Sequence, residues 1–265
     1  MKERSANPRR SRAAPSRSDT SWDRVATWYD GWVGGAGSRY HQAIALPLAL
    51  ELLDPRPGEA ILDVGAGQGV LAPYVADRGA EYTGVDASSR LIELARRRHG
   101  REGRFIVGDA GRLGEVRGLE RSSFDAAVFV LSIQDMNPLE RVLASVDWAL
   151  RPTARVVLVL THPAFRQPRH SGWGFDEGRG LVYRRIDSYL TPMAVPMKAI
   201  GDKPPTTSFH RPISAYVNGL ATHGLAVDAL REVPDTTADR KVPGGKAGER
   251  AADEFPLFLG LRARR

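Results

Sequence analysis

The stretch Ile61-Leu-Asp-Val-Gly-Ala-Gly-Gln-Gly69 decides the fold, because an apolar strand runs directly into a glycine turn and from there into a helix. Glycine at positions 65, 67 and 69 lets the backbone turn sharply and approach a ligand, since no Cβ atom stands in the way. The dinucleotide fingerprint is G-x-G-x-x-G, whereas here the spacing is G-x-G-x-G and residue 70 is valine. The turn therefore predicts a ligand site at the end of a first strand and disfavours a nicotinamide dinucleotide there.

Two acidic residues end the next two predicted strands. Asp86 closes Tyr82-Thr-Gly-Val-Asp86 and lies 21 residues beyond Gly65, close to the separation of about 20 that is typical of an acid bound to ribose hydroxyls. Asp109 closes Phe105-Ile-Val-Gly-Asp109, where its carboxylate would accept a hydrogen bond from an adenine amino group. Because the carboxyl ends of parallel strands meet at one edge of a sheet, the three motifs predict a single crevice for a nucleoside-containing ligand.

Short apolar runs alternate with helical stretches from residue 60 onward, which indicates a parallel, doubly wound sheet. Strands are predicted at 60–64, 82–85, 105–107, 124–130 and 155–160, and helices at 70–77, 89–99, 138–150 and 210–223. Ser88 is the expected N-cap of the second of these helices. Two further strands, 225–233 and 255–262, are joined by a segment rich in Gly, Lys and Pro in which no helix is predicted, so they should pair as an antiparallel hairpin. The expected fold is α/β, a seven-stranded sheet that is mostly parallel, with helices on both faces.

Composition and charge restrict the function. The chain has no cysteine, which excludes thiolate nucleophiles and cysteine-ligated metals. The net charge of +7 resides in residues 1–20 and 261–265, and residues 21–260 are neutral overall, so no nucleic-acid groove is expected. No apolar run is long enough to span a bilayer, and no secretory signal is found, so we expect a cytoplasmic protein with no membrane partner.

The predicted organisation is a disordered basic tail at 1–20 followed by a single domain at 21–265. This domain divides into N-terminal helices at 21–55, a ligand-binding core at 56–162, a lid or substrate-binding loop at 163–208, and the late helix with the terminal hairpin at 209–265. Nothing in the sequence fixes the oligomeric state.

The chain resembles class I S-adenosylmethionine (SAM)-dependent methyltransferases in four successive motifs: Leu62-Asp-Val-Gly-Ala-Gly-Gln-Gly69, Thr83-Gly-Val-Asp-Ala-Ser88, Gly108-Asp-Ala110 and Phe124-Asp-Ala-Ala-Val128. The similarity covers about residues 22–262 and is greatest with the branch of ubiquinone-biosynthesis-like and natural-product tailoring enzymes. It implies SAM as cofactor, S-adenosylhomocysteine (SAH) as product, no metal, and a small-molecule acceptor with an aromatic or polycyclic body. The implied cofactor residues are Tyr29, Asp63, Gly65, Ala66, Gly67, Gly69, Asp86, Ala87, Ser88, Asp109, Ala110 and Leu131.

Methyl transfer needs an acceptor held in line with the methyl group and, for some acceptors, a base. His162 follows the fifth predicted strand and is the first choice for a general base, with His210 second; each histidine has an alternative role in shaping or capping its loop. Residues expected to line the acceptor pocket are Tyr40, His41, Trp173, Tyr183 and Arg211, the last through its fork of donors toward a carboxylate.

Three alternatives stay open at this level. The first is an NAD(P)-dependent oxidoreductase, which the missing third fingerprint glycine disfavours. The second is an RNA methyltransferase or RNA-binding protein, which the basic termini favour and the neutral 21–260 segment opposes. The third is a SAM-binding scaffold without catalysis.

Overall fold

The computed structural model describes residues 22–197, 206–237 and 240–265, so the predicted basic tail at 1–20 lies outside the described residues. Eleven strands are assigned in this part of the chain: β1 Ala60–Val64, β2 Glu81–Asp86, β3 Arg104–Val107, β4 Phe124–Val130, β5 Leu150–Thr161, β6 Ser171–Asp176, β7 Leu181–Ile186, β8 Met193–Pro196, β9 Thr207–His210, β10 Ala226–Val233 and β11 Phe258–Arg264. Seven of them form one sheet in the order β10-β11-β5-β4-β1-β2-β3. Strand β11 is antiparallel to both of its neighbours, and β5, β4, β1, β2 and β3 are parallel, which confirms the predicted fold class.

Seven α-helices are assigned in the described residues: α1 Ala26–Val33, α2 Leu46–Leu53, α3 Ala72–Ala76, α4 Ser89–His99, α5 Leu139–Ala149, α6 Ile213–Ala221 and α7 Lys246–Glu254. Helix α4 begins where the sequence predicts, because the Ser88 hydroxyl accepts a hydrogen bond from the Leu91 amide at 3.2 Å. Within residues 22–197, 206–237 and 240–265, no helix combines the length and apolarity needed to cross a membrane.

Both faces of the central strands are buried, which explains why β1 and β4 are apolar at most positions rather than at alternate ones. Successive side chains of β1 point to opposite faces. Leu62 and Val64 join a core cluster with α5 on one face, while Ile61 joins a second cluster with α2 and α3 on the other. The sheet is therefore the middle layer of the fold. Its faces are covered, and the polar residues at its strand ends are available to form a site.

The prediction that no helix joins the last two strands was wrong, because α7 lies between β10 and β11. Only Gly248 and Ala252 of α7 are buried, so the helix has no run of large apolar residues that would reveal its period. The antiparallel pairing of β10 with β11 stands nevertheless.

The segment predicted as a long loop at 163–208 contains regular structure. Strands β6 and β7 form one antiparallel pair, and β8 pairs with β9 in another. Strand β9 ends at His210, so α6 begins three residues later than the helix predicted at 210–223, after Pro212. Proline suits that position because its fixed φ angle is compatible with a helix start.

Candidate functional site

A cavity of about 780 Å³ opens at the carboxyl ends of β1, β2 and β4 and continues beneath the segment that follows β5. The residues from the cofactor prediction that line it are Tyr29, Gly65, Gly67, Asp86, Ala87, Asp109, Ala110 and Leu131. Asp63, Ala66, Gly69 and Ser88 are absent from this wall. The topology thus brings the three strand-end motifs together, as expected for the crevice of an open α/β sheet.

The glycine turn has left-handed backbone angles that restrict it to glycine. Gly65 has φ of +76°, and a Cβ atom there would lie 2.6 Å from the Ser132 Cβ. Gly69 has φ of +80°, and its Cβ would lie 2.5 Å from Phe105 Cε1. The missing side chain of Gly65 therefore makes room for Ser132 at the cavity wall. That of Gly69 makes room for Phe105 in the core rather than for a ligand.

Asp86 is held rigidly at the cavity wall. Its Oδ2 accepts a hydrogen bond from the Gly67 amide at 2.9 Å, and its Oδ1 accepts one from the Ser88 amide at 2.8 Å. Burial raises the pKa of Asp86, and these two amides lower it in part. A carboxylate has about four lone-pair positions, so this one can still accept from ligand hydroxyls. Ser88 itself is fully buried and caps α4, which gives it a structural task.

Asp63 lies behind the turn with one oxygen unsatisfied. Its Oδ2 accepts from the Tyr82 hydroxyl at 2.6 Å, while Oδ1 is buried and has no hydrogen-bond partner in the described structure. Burial raises the pKa of Asp63 to about 7. It borders a space of about 20 Å³ shared with Gly65, Gly67 and His41. A buried carboxylate oxygen without a donor is a favourable place for a cationic or donor group.

His162 lies outside the cavity wall, although Thr161 lines it. The His162 ring is 2% exposed, its Nδ1 accepts from the Ala164 amide at 3.1 Å, and its Nε2 faces Glu232 Oε1 at 2.9 Å. Since Nδ1 accepts, Nε2 carries the proton and donates to the glutamate, which leaves no lone pair for an acceptor proton. Side chains alternate in direction along an extended strand, so His162 points away from the cavity that Thr161 lines. This geometry favours the loop-shaping role of His162 over the general-base role.

We expect His162→Ala to destabilise the protein by about 1–3 kcal/mol, the usual cost of leaving buried hydrogen-bonding groups unpaired. His162→Asn should recover much of this loss, because its amide oxygen can accept from the same backbone amides. Thermal melting of the two variants measures the difference. Methyl transfer by either folded variant should stay within about tenfold of wild type, and a loss of about 10²–10⁴ in kcat at unchanged melting temperature would restore His162 as the base.

Three other predicted site residues are held away from the cavity. His210 Nε2 donates to the Tyr189 carbonyl at 2.7 Å. Arg211 Nη2 donates to the Met136 carbonyl at 2.7 Å and to Asn137 Oδ1 at 3.0 Å, so it braces the turn after β4. The Trp173 ring packs edge-on against Phe255 at 5.5 Å. None of the three lines the cavity, because each side chain is already committed to a neighbouring segment.

Tyr183 is also outside the cavity and is 48% exposed on β7. Tyr40 and His41 do line it. The His41 Nδ1 lies 2.9 Å from the Ser38 hydroxyl, and burial lowers the pKa of His41 to about 4, so this ring is neutral. Aromatic residues near the N-terminus, among them Tyr29 and Tyr40, therefore take the place in the wall that Trp173 and Tyr183 were expected to fill.

Sequence reasoning missed a second set of cavity residues. Asp135 lies on the turn after β4, and the others lie after β5 or on β7 and β9: Arg166, Gln167, Arg169, Arg184 and Ser208. Burial raises the pKa of Asp135 to about 7, and a hydrogen bond from Ser208 lowers it in part. The position of Asp135, five residues beyond the end of β4, was the one signal that pointed to this edge of the sheet.

Residues 62–158 match a family model described as a methyltransferase domain. The demethylmenaquinone methyltransferase of Beutenbergia cavernae is 29% identical over 155 residues, which are 58% of each chain. A second curated relative, the demethylmenaquinone methyltransferase of Tropheryma whipplei, is 32% identical over 120 residues, 43% of this chain and 47% of that protein. The chain thus spans about half the length of the curated relatives that it matches.

The fold has solved counterparts. A SAM-dependent methyltransferase from Mesorhizobium loti superposes with a TM-score of 0.68 at 25% identity, over 88% of this chain and 100% of that one. The chain therefore contains a methyltransferase domain built on the class I SAM-dependent methyltransferase fold.

Proposed function

We propose that the protein transfers a methyl group from SAM to a small-molecule acceptor with an aromatic or polycyclic body. The observation that carries this proposal is the continuity of the cavity. One end holds the three strand-end motifs with Asp86 and Asp109, and the other holds Tyr40, Phe258 and Arg166. Cofactor and acceptor would thus share one continuous space, which in-line transfer requires.

The chain's own groups fit the cofactor. The unpartnered Oδ1 of Asp63 suits an ammonium group beside the glycine turn, where Gly65 and Gly67 line the cavity. The fixed carboxylate of Asp86 suits two ribose hydroxyls. Asp109 Oδ1 accepts from the Gly111 amide at 2.8 Å, which fixes the carboxylate beside the expected adenine. When bound, the cofactor supplies an electrophilic methyl group on a sulfonium.

The acceptor side of the cavity provides positioning and one base. Tyr40 and Phe258 pack with ring centroids 5.7 Å apart and give an apolar wall. Asp135 lines the cavity on the turn after β4, and Ser208, which also lines it, makes a side-chain hydrogen bond with its carboxyl group. A carboxylate with a pKa near 7 is well matched to removing a phenol or enol proton at neutral pH. We assign Asp135 this role in place of His162.

Calorimetric titration with SAH tests the proposal. We expect binding in the micromolar range or tighter and no binding of NADH under the same conditions, since the turn lacks the pyrophosphate cradle. An RNA oligonucleotide should not change the heat of SAH binding. Binding of NADH but not SAH would support the oxidoreductase alternative, and SAH binding without methyl transfer to any of a panel of phenols and hydroxynaphthoates would support the scaffold alternative.

One solved structure with a similar fold contains a small molecule together with SAH. The 1,6-didemethyltoxoflavin-N1-methyltransferase of Burkholderia thailandensis, solved with 1,6-didemethyltoxoflavin and SAH, superposes with a TM-score of 0.53 at 18% identity, over 96% of this chain and 92% of that one. At that identity the likeness concerns the fold. The acceptor proposed for this chain rests on the walls of its own cavity.

A further inference from the structure

The charged residues that line the cavity are sorted by sign. Asp86, Asp109 and Asp135 occupy the side formed by the ends of β2, β3 and β4. Arg166, Arg169 and Arg184 occupy the side formed by the segment after β5 and by β7. Unlike the acids, which fit the cofactor or a base, the three guanidinium groups have no task in the function proposed above.

Arg166 lines the cavity, and its side chain lies over two aromatic rings. Its guanidinium carbon lies 4.5 Å from the ring centroids of both Tyr40 and Phe258. The group hydrogen-bonds the Tyr40 side chain, but Nη1 is buried and has no hydrogen-bond partner within the described ranges. Burial lowers the pKa of Arg166, and Tyr40 and Asp235 raise it in part. The side chain is thus oriented, desolvated and short of an acceptor.

Arg184 and Gln167 extend this polar end. Arg184 Nε donates to the Phe165 carbonyl at 2.6 Å, and its pKa is lowered by burial and by the charge of Arg166. Gln167 is 3% exposed, and neither its Oε1 nor its Nε2 has a hydrogen-bond partner among the residues described. Two cations that oppose each other's charge, beside a buried amide with no partner, are a strong indication of a missing anion.

We infer that the acceptor carries a carboxylate, which binds Arg166 and the Gln167 amide at the end of the cavity opposite the cofactor. A planar carboxylate matches the fork of a guanidinium that is held over aromatic rings. The apolar faces of Tyr40 and Phe258 then accept the rest of an aromatic acid. This inference rests on the proposed function and names the substrate class for the same site.

The test compares matched acid and amide probes on the SAH-saturated protein. The probe pairs are salicylate with salicylamide and 3-hydroxy-2-naphthoate with 3-hydroxy-2-naphthamide, which differ in charge and little in shape. By calorimetry we expect the acid of at least one pair to bind about tenfold or more tightly than its amide, the usual gain from a charge-assisted hydrogen bond. Arg166→Gln should abolish this preference and leave amide binding and SAH binding within about threefold.

Two further variants control for folding and for general charge. Arg169→Gln removes a charge from the exposed rim of the cavity and should reduce the preference only partly, so it reports on the site even if Arg166→Gln fails to fold. Arg97→Gln removes an exposed charge on α4 away from the cavity and should leave the preference unchanged. Equal binding of acid and amide to the wild type would overturn the inference, and so would an unchanged preference in both cavity variants. Failure of SAH itself to bind would instead refute the proposed function.

Discussion

Asp135→Asn should lower kcat by about 10²–10⁴, the usual contribution of a general base, while SAH affinity stays within about threefold. Asparagine has nearly the same shape and can keep the contact with Ser208, but it cannot take a proton. The measurement is transfer of a labelled methyl group from SAM to whichever phenol or hydroxynaphthoate of the panel is turned over. A kcat within about tenfold of wild type would mean that positioning alone carries the reaction.

The pH profile gives an independent test of Asp135. Burial raises the pKa of this carboxyl to about 7, so the basic, ionised form is lost as the pH falls through that value. The wild-type rate should therefore fall below pH 7, and the Asn variant should lose this dependence. Asp77→Asn removes an exposed carboxylate at the end of α3 and should keep both the rate and the profile.

The buried parallel strands and the capped helix were predictable from local sequence. The predicted bounds of β1, β4 and α4 coincide with those observed. These elements carry strong local signals, which are continuous apolar runs for strands buried on both faces and a serine cap for the helix. Helix α7 was missed because its buried face consists of a glycine and an alanine, which give no hydrophobic periodicity.

The cofactor side of the cavity was more predictable than the acceptor side, for a topological reason. Parallel strands must end at one edge, so Gly65, Asp86 and Asp109 were bound to converge once the strands were identified. The acceptor side is built from the course of the chain after β5, which local sequence does not determine. His162 was placed correctly at the end of β5, but strand alternation turns its side chain toward Glu232 rather than into the cavity.

Arg211 and Arg166 also show that local sequence does not determine which side chains line the acceptor side of the cavity. The sequence suggested Arg211 as a partner for an acceptor carboxylate, since a guanidinium near the expected crevice suits that task. In the structure Nη1 is unpaired in both arginines, but Arg211 donates through Nη2 to the Met136 carbonyl and Asn137 outside the cavity wall, whereas Arg166 lines the cavity. Which of two arginines lines the cavity depends on tertiary contacts that no local pattern encodes.

Asp86→Ala should weaken SAH binding by about 1.5–3 kcal/mol, which is about 10- to 150-fold in Kd. Two losses combine: the ligand hydroxyls lose their acceptor, and the amides of Gly67 and Ser88, which donate to Asp86 at 2.9 and 2.8 Å, lose theirs. The glycine turn is then less well ordered before the ligand arrives. Calorimetry with SAH measures the change.

Asp86→Asn separates these two contributions. The asparagine oxygen can accept from one of the two backbone amides, but its NH2 group cannot accept from a ribose hydroxyl, and the negative charge is gone. Its melting temperature should therefore lie closer to wild type than that of Asp86→Ala, while most of the SAH affinity is still lost. Asp77→Ala, an exposed site outside the cavity, serves as the control for both. If Asp86→Ala binds SAH as tightly as wild type, the carboxylate at the end of β2 does not contact the cofactor, and the ribose must be held by other groups along the same edge.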